Sequence, residues 1–226
     1  MAARRDPFDR YARGAAVYDL LSFERTLYRA PRRRGIDLLA LDVGATVLDV
    51  GCGTGLSFPW LQAAVGESGR IVGVDTSAAM LAGAARRARL NGWPNVTLIN
   101  ARADRLVEGL RRSGIDPSAV HGVLIAYALS VMARWERSWR QIASLDPGTR
   151  VAVVDLSLAR WPGAAFNPLW RLLCTLGGSD PSRRPDRLAA ADLVGVRTES
   201  WLGGHVTIAA GEVGPIRADA QGSDSA

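Results

Sequence analysis

The sequence predicts an α/β fold built on a mostly parallel sheet with helices on both faces, and three observations carry that prediction. The apolar segment Thr46 to Val50 runs directly into the glycine-rich turn Gly51-Cys52-Gly53-Thr54-Gly55 and then into a stretch that opens as a helix at Leu56. A second apolar segment, Arg70 to Asp75, ends in an acid 20 residues beyond Gly55. From there short apolar runs alternate with helix-forming segments, the pattern of strands covered by crossover helices.

Taken in order, Thr46 to Val50 is the first strand, and Leu56-Ser57-Phe58-Pro59-Trp60-Leu61 begins the helix behind it, with the proline tolerated in the first turn. Arg70 to Asp75 is the second strand. Ser77 to Asn91 reads as a helix with Thr76 or Ser77 as its N-cap and Asn91-Gly92 as its stop. Val96 to Asn100 is the third strand, Arg105 to Ser113 a helix, and Val120 to Ala126 the fourth strand. Trp135 to Leu145 is a helix ended by Asp146-Pro147-Gly148, and Arg150 to Asp155 is the fifth strand. Val194 to Ser200 and Val206 to Ala210 are two final strands joined by Gly203-Gly204. One domain accounts for the whole chain: a helical cap over 8–41, a core over 42–155, an irregular insert over 156–193, the closing strand pair over 194–210 and a small, polar, disordered tail over 211–226. The insert holds Trp161, Phe166 and Trp170 and follows the fifth strand, so it is expected to cover a substrate.

Glycine spacing narrows the ligand. A dinucleotide fingerprint runs G-x-G-x-x-G, whereas here the third glycine comes one residue early. A phosphate-binding P-loop needs a lysine, and the chain has none: all 28 basic residues are arginine. An acid placed as Asp75 is can accept both hydroxyls of a ribose.

Composition excludes other classes. The 226 residues, 48% of them hydrophobic, suffice for one core. The net charge of +6 is built entirely from arginine, which points to base composition of the gene more than to a nucleic-acid partner. Two cysteines, Cys52 and Cys174, make no disulfide framework and have no metal-ligand company. The N-terminus lacks the apolar run of a signal peptide, and the longest apolar run, 122–133, is too short to span a bilayer. A cytoplasmic protein is expected, compatible with peripheral contact at the inner membrane face.

The pair VLDVGCGTG (47–55) and VGVDTSAAML (72–81) resembles the class I S-adenosylmethionine-dependent methyltransferases, over roughly residues 8 to 212. The resemblance implies a Rossmann-like, seven-stranded, mostly parallel sheet whose last strand is antiparallel. It implies S-adenosylmethionine as cofactor and S-adenosylhomocysteine as product, with Gly51, Cys52, Gly53 and Gly55 under the methionine part. Asp49 then helps place the amino end, Asp75 with Thr76 binds the ribose, and Met80 packs on the adenine. Relatives commonly carry Gly-Asp-Ala after the third strand, where this chain has Ala101-Arg102-Ala103, so Asp104 shifts into the role or backbone near Arg102 and Ala103 holds the adenine. Ala126 closes the fourth strand beside the cofactor, and Tyr11 and Tyr18 resemble tyrosines that relatives place over it; a face of core aromatics explains those two equally well.

For the transfer itself, Tyr127 and His205 are the candidate catalytic residues. Tyr127 follows the fourth strand, and His205 opens a strand that, running antiparallel, starts at the active end. His121 begins the fourth strand at the opposite end and reads as structural. The run YALSVMARWERS (127–138) looks like bacterial phospholipid and betaine-lipid N-methyltransferases, with menaquinone and ubiquinone C-methyltransferases further off. Ala133-Arg134 replaces the usual Pro-Asp before Trp135, and Thr149 replaces a glycine. The expectation is in-line methyl transfer to the amine of a lipid or small amphiphile. Carbon or oxygen methylation of a quinone precursor or secondary metabolite is the alternative, and a non-catalytic cofactor-binding protein the alternative of another class. No Asn-Pro-Pro motif follows the fourth strand, so nucleic acid is not expected as substrate. Arg29, Arg32, Arg33 and Arg34 suit a phosphate headgroup or anionic bilayer, or form a solvated helix face.

Overall fold

Strand β1 (Thr46–Val50) alternates its side chains between two apolar layers, and four of its five residues are buried. Leu48 and Val50 face one core with Leu106, Leu110, Trp139 and Ile142. Val47 faces the other with Ile36, Phe58, Leu61 and Val65, and Asp49 shares that side of the strand. A strand buried on both faces has no polar alternation, which is why it reads as a continuous apolar run. The structure, a computed structural model, describes residues 27–159, 163–168, 171, 180 and 182–215.

Around β1 the order of elements is α1 (Arg29–Leu38), β1, α2 (Phe58–Val65), β2 (Arg70–Asp75), α3 (Ala78–Leu90), β3 (Val96–Asn100), α4 (Leu106–Arg112), β4 (Gly122–Ala126), α5 (Trp135–Ala143), β5 (Arg150–Leu156), α6 (Pro185–Asp192), β6 (Leu193–Trp201) and β7 (Val206–Val213). The sheet order is β3-β2-β1-β4-β5-β7-β6. β1 pairs in parallel with β2 and β4, and only β7 runs against its neighbours β5 and β6. This is the Rossmann-like seven-stranded sheet with an antiparallel last strand that the sequence predicts. The order reverses between β1 and β4, so a crevice opens beyond their carboxyl ends.

Local signals hold where the chain chemistry is strong. Ser77 caps α3 by accepting from the Met80 amide at 3.3 Å, and Asn91 with Gly92 at φ +66° ends it. Full burial of Phe58 and Leu61 on α2 contributes about 1.5–3 kcal/mol each.

Three boundaries differ from expectation. A 3-10 turn, Ala103–Arg105, precedes α4. α6 occupies the end of the insert expected to be irregular, with Pro185 in its first turn. β7 continues through Gly211 to Val213, residues expected to begin the tail. Gly211 reads as a breaker, yet a Cβ there would lie 2.7 Å from the Val194 carbonyl oxygen. The glycine instead admits close approach of β6, which bulges between Val194 and Arg197. Tyr11, Tyr18, Trp161, Trp170 and Cys174 lie outside the described residues.

Candidate active site

The turn after β1 is shaped by backbone alone. Gly51, Gly53 and Gly55 all have positive φ, at +76°, +54° and +76°. A Cβ on Gly51 would sit 2.4 Å from the Ala128 Cβ, so that glycine lets the turn pack against the segment after β4. A Cβ on Gly53 would meet nothing within 4 Å, because Gly53 faces a cleft. The Gly51 and Cys52 amides both bond to the Val74 carbonyl, which locks the turn to β2.

Asp75, at the end of β2, accepts from the Gly53 amide at 2.9 Å and the Ser77 amide at 2.8 Å. Burial raises its pKa, and those amides pull it back. The cleft encloses about 1120 Å³ including its open mouth. One side is bordered by Gly51, Cys52, Gly53, Asp75, Thr76 and Met80, and the end by Ala101, Arg102, Ala103 and Asp104. Ala126, Tyr127, Ala128, Val131, Met132 and Ala133 form the opposite side, with Arg134 and Arg32 at its margins.

Most of the expected cofactor residues therefore meet in one place. Asp49 and Gly55 do not border the cleft; Gly55 closes the turn, and Asp49 lies beneath it, 1% exposed, with Oδ2 lacking a hydrogen-bond partner. Burial pushes the Asp49 carboxyl up to about 7, although Arg32 and a hydrogen bond from Ser57 lower it. Burial also pushes the Cys52 thiol well up, which keeps it neutral.

Asp104 borders the cleft beside Arg102 and Ala103, and its carboxylate is held between two guanidiniums. Arg102 Nε donates to Oδ1 at 2.8 Å, and Arg134 Nη1 donates to Oδ2 at 3.3 Å. The Arg102 hydrogen bond, with a smaller contribution from Arg134, holds the Asp104 carboxyl below its ordinary range.

Tyr127 is placed where expected and in an uncommon conformation, φ +56°, for a residue with a bulky side chain. Its hydroxyl donates to the Tyr28 carbonyl at 2.9 Å, its ring lies 5.1 Å from the Tyr28 ring, and the Arg32 guanidinium stands 5.0 Å from its centroid. His205, by contrast, is fully buried and does not border the cleft. Its Nδ1 lies 3.0 Å from the Ser157 carbonyl, which can only accept, so Nδ1 carries the proton and neutral Nε2 accepts from the Tyr28 hydroxyl at 3.1 Å. The expectation of a catalytic His205 gives way to a brace behind Tyr28. His121 accepts from the Thr46 amide at 3.1 Å at the far end of the sheet, a structural position.

Arg32, grouped in the sequence with Arg29, Arg33 and Arg34 as a headgroup-binding or solvated face, borders the cleft instead. Pro31, Arg32, Gly35, Ile36 and Leu39 are buried, a helical stripe on which Arg32 sits, and that spacing was the available signal. Among the described residues no cluster of three or more His, Cys, Asp or Glu forms a metal site, and no helix is long and apolar enough to cross a membrane.

Residues 47–148 match the methyltransferase domain family. The chain thus carries a methyltransferase domain in its core. The chain is 33% identical over 150 residues to the 2-phytyl-1,4-naphthoquinone methyltransferase of Thermosynechococcus vestitus, covering 65% of this chain and 63% of that one. It is 29% identical over 147 residues to a ubiquinone/menaquinone biosynthesis C-methyltransferase of Hahella chejuensis, covering 63% and 56%. The chain thus spans about three fifths of the length of the curated relatives it matches. The crystal structure of an S-adenosylmethionine-dependent methyltransferase from Aquifex aeolicus superposes with a TM-score of 0.57 at 16% identity, covering 93% of this chain and 100% of that one, a likeness of fold.

The family's cofactor is S-adenosylmethionine, and the cleft suits it. Gly53 leaves room for its chain, Asp75 retains lone pairs for ribose hydroxyls, and Met80 offers an apolar surface to a purine.

Proposed function

We propose that this methyltransferase moves the methyl group of S-adenosylmethionine to an electron-rich carbon of a small aromatic acceptor of the quinol kind. The observation that carries the reading is the apolar wall after β4, where Ala128, Val131, Met132 and Ala133 border the cleft beside the Tyr127 ring, a surface suited to a flat aromatic acceptor. Arg102 and Arg134 are engaged by Asp104 and leave that surface its apolar character. The relatives named for naphthoquinone and ubiquinone or menaquinone methylation support the same acceptor class.

The cofactor supplies an already activated methyl group, so the protein has mainly to align a nucleophile and exclude water. Ala128, Val131, Met132 and Ala133 offer an apolar surface to a flat ring, and Tyr127 limits its position. Held between the glycine turn and Asp75, the cofactor would supply the methyl group and keep the C–S bond electrons on its sulfur, and the acceptor's ring proton would pass to water.

Incubation with methyl-labelled cofactor tests this. A reduced, unmethylated naphthoquinone offered beside phosphatidylethanolamine vesicles is expected to carry the label on a ring carbon. Label in the ethanolamine lipid instead would restore the amine reading.

A further inference from the structure

The cleft wall after β4 contains a short 3-10 turn, Leu129–Val131, that runs into Met132, and the side chains of Val131 and Met132 border the cleft. The closing carbonyls of such a turn find no partner inside it, so the wall is only as well placed as the groups that meet them from elsewhere. From beneath, Asp155 near the end of β5 accepts from the Ser130 amide at 2.8 Å and from the Ser130 hydroxyl at 2.6 Å. From the other side comes Arg183, in the insert between β5 and α6. Its Nη1 donates to the Ser130 carbonyl at 2.9 Å and to the Met132 carbonyl at 2.7 Å.

We propose that Arg183 is a positioning residue for the methyl acceptor: by clamping these two carbonyls it sets where Val131 and Met132 stand, and through them how tightly the acceptor is held. The proposal rests on the reading of this wall as the acceptor's surface. Nη1 carries two N–H groups in a fixed plane, one for each carbonyl. Nε of the same guanidinium lies 3.4 Å from Asp180 Oδ2, an ion pair that fixes the orientation of the fork. The Arg183 side chain is only a quarter exposed, so its charge-assisted bonds to the turn are partly shielded from water. Ser130 is thus held by a carboxylate at its amide and hydroxyl and by a guanidinium at its carbonyl. Arg183 does not border the cleft itself and acts through the turn.

Kinetics separate positioning from plain support of the fold. Loss of a merely structural contact lowers the fraction of active protein, and with it kcat, and leaves KM unchanged, whereas a displaced wall changes KM. Arg183→Met is expected to raise the KM for a reduced naphthoquinone about tenfold, with S-adenosylhomocysteine affinity held within about twofold by calorimetry. Arg183→Lys, whose ammonium has no fork to span both carbonyls, should fall between it and the native protein. Amide hydrogen exchange at residues 129–133 should accelerate in the same order. An unchanged KM, or equal losses in acceptor KM and S-adenosylhomocysteine affinity, would overturn the proposal. Should Arg183→Met fail to melt cooperatively, Arg183→Lys carries the comparison. If the native protein labels phosphatidylethanolamine and not the quinol, the quinol reading falls, and the same KM comparison with that lipid decides the role of Arg183. A native protein that labels neither removes both.

Discussion

The Tyr127 hydroxyl donates to the carbonyl oxygen of Tyr28 at 2.9 Å, tying the residue after β4 to the residue before α1. Tyr28 is in turn anchored by its own hydroxyl to His205, so a cleft residue in a strained conformation is held from the N-terminal helix and from β7's start. Replacing Tyr127 with phenylalanine removes one hydrogen bond, worth about 1 kcal/mol. Tyr127→Phe should lower the melting temperature by about 2–4 °C and slow methyl transfer, with S-adenosylhomocysteine affinity unchanged. A large loss of that affinity would assign Tyr127 to the cofactor instead of the acceptor.

The glycine turn separates packing from ligand space. Gly51→Ala forces a methyl against Ala128 at positive φ, and should cost about 2–4 kcal/mol of stability. Gly53→Ala meets only the conformational cost, about 1 kcal/mol, but its methyl projects into the cleft. Thermal melts are expected to report the first substitution, and calorimetric titration the second. Equal affinities for Gly53→Ala and native protein would show that the cofactor lies elsewhere.

The pH dependence of stability has two opposed contributions in the ligand-free protein. Asp49 has a folded pKa of about 7, above its ordinary value, so its contribution is full below about pH 4 and is lost as pH rises toward 7. Asp49→Asn should therefore stabilise the protein at pH 8, by at most about 4 kcal/mol, with the gain vanishing toward pH 4. Asp104 has a depressed pKa, so its contribution is present at neutral pH and lost as pH falls through its folded value. Its arginines are more than half exposed, so Asp104→Asn should destabilise only modestly at pH 7. Melts of both variants across pH 4–8 check the signs.

Asp155 holds the segment that carries Val131 to the cleft. It accepts from the Ser130 amide at 2.8 Å, the Ser130 hydroxyl at 2.6 Å and the Leu156 amide at 2.8 Å. Asp155→Asn exchanges an acceptor for a donor in a buried site, at a cost of about 1–3 kcal/mol. Hydrogen exchange should accelerate at residues 129–132, and unchanged protection there would show that the turn is held by other contacts.

The strands and the turn were legible because local chemistry and tertiary position agree in them. Val47, Leu48 and Val50 are apolar since both faces are covered, and Gly51 and Gly53 stand where positive φ is required. Asp75 was legible from its separation from the turn. Arg32 was not, because a charged residue on a helix reads as solvated until the helix phase is known. The direction of β7 correctly put His205 at the active end, but direction gives no depth, and the ring lies behind Tyr28. The double pairing of Asp104 depends on Arg134, 30 residues away across the cleft, which no local pattern encodes.

Calorimetric titration of the purified protein with S-adenosylhomocysteine decides whether this cleft binds the methyl donor. Saturable one-to-one binding with a Kd on the order of micromolar is predicted, weakened at least about tenfold by Asp75→Ala. A cooperatively folded native protein that shows no saturable binding up to millimolar ligand, or an Asp75→Ala variant that binds as tightly as the native chain, would contradict it.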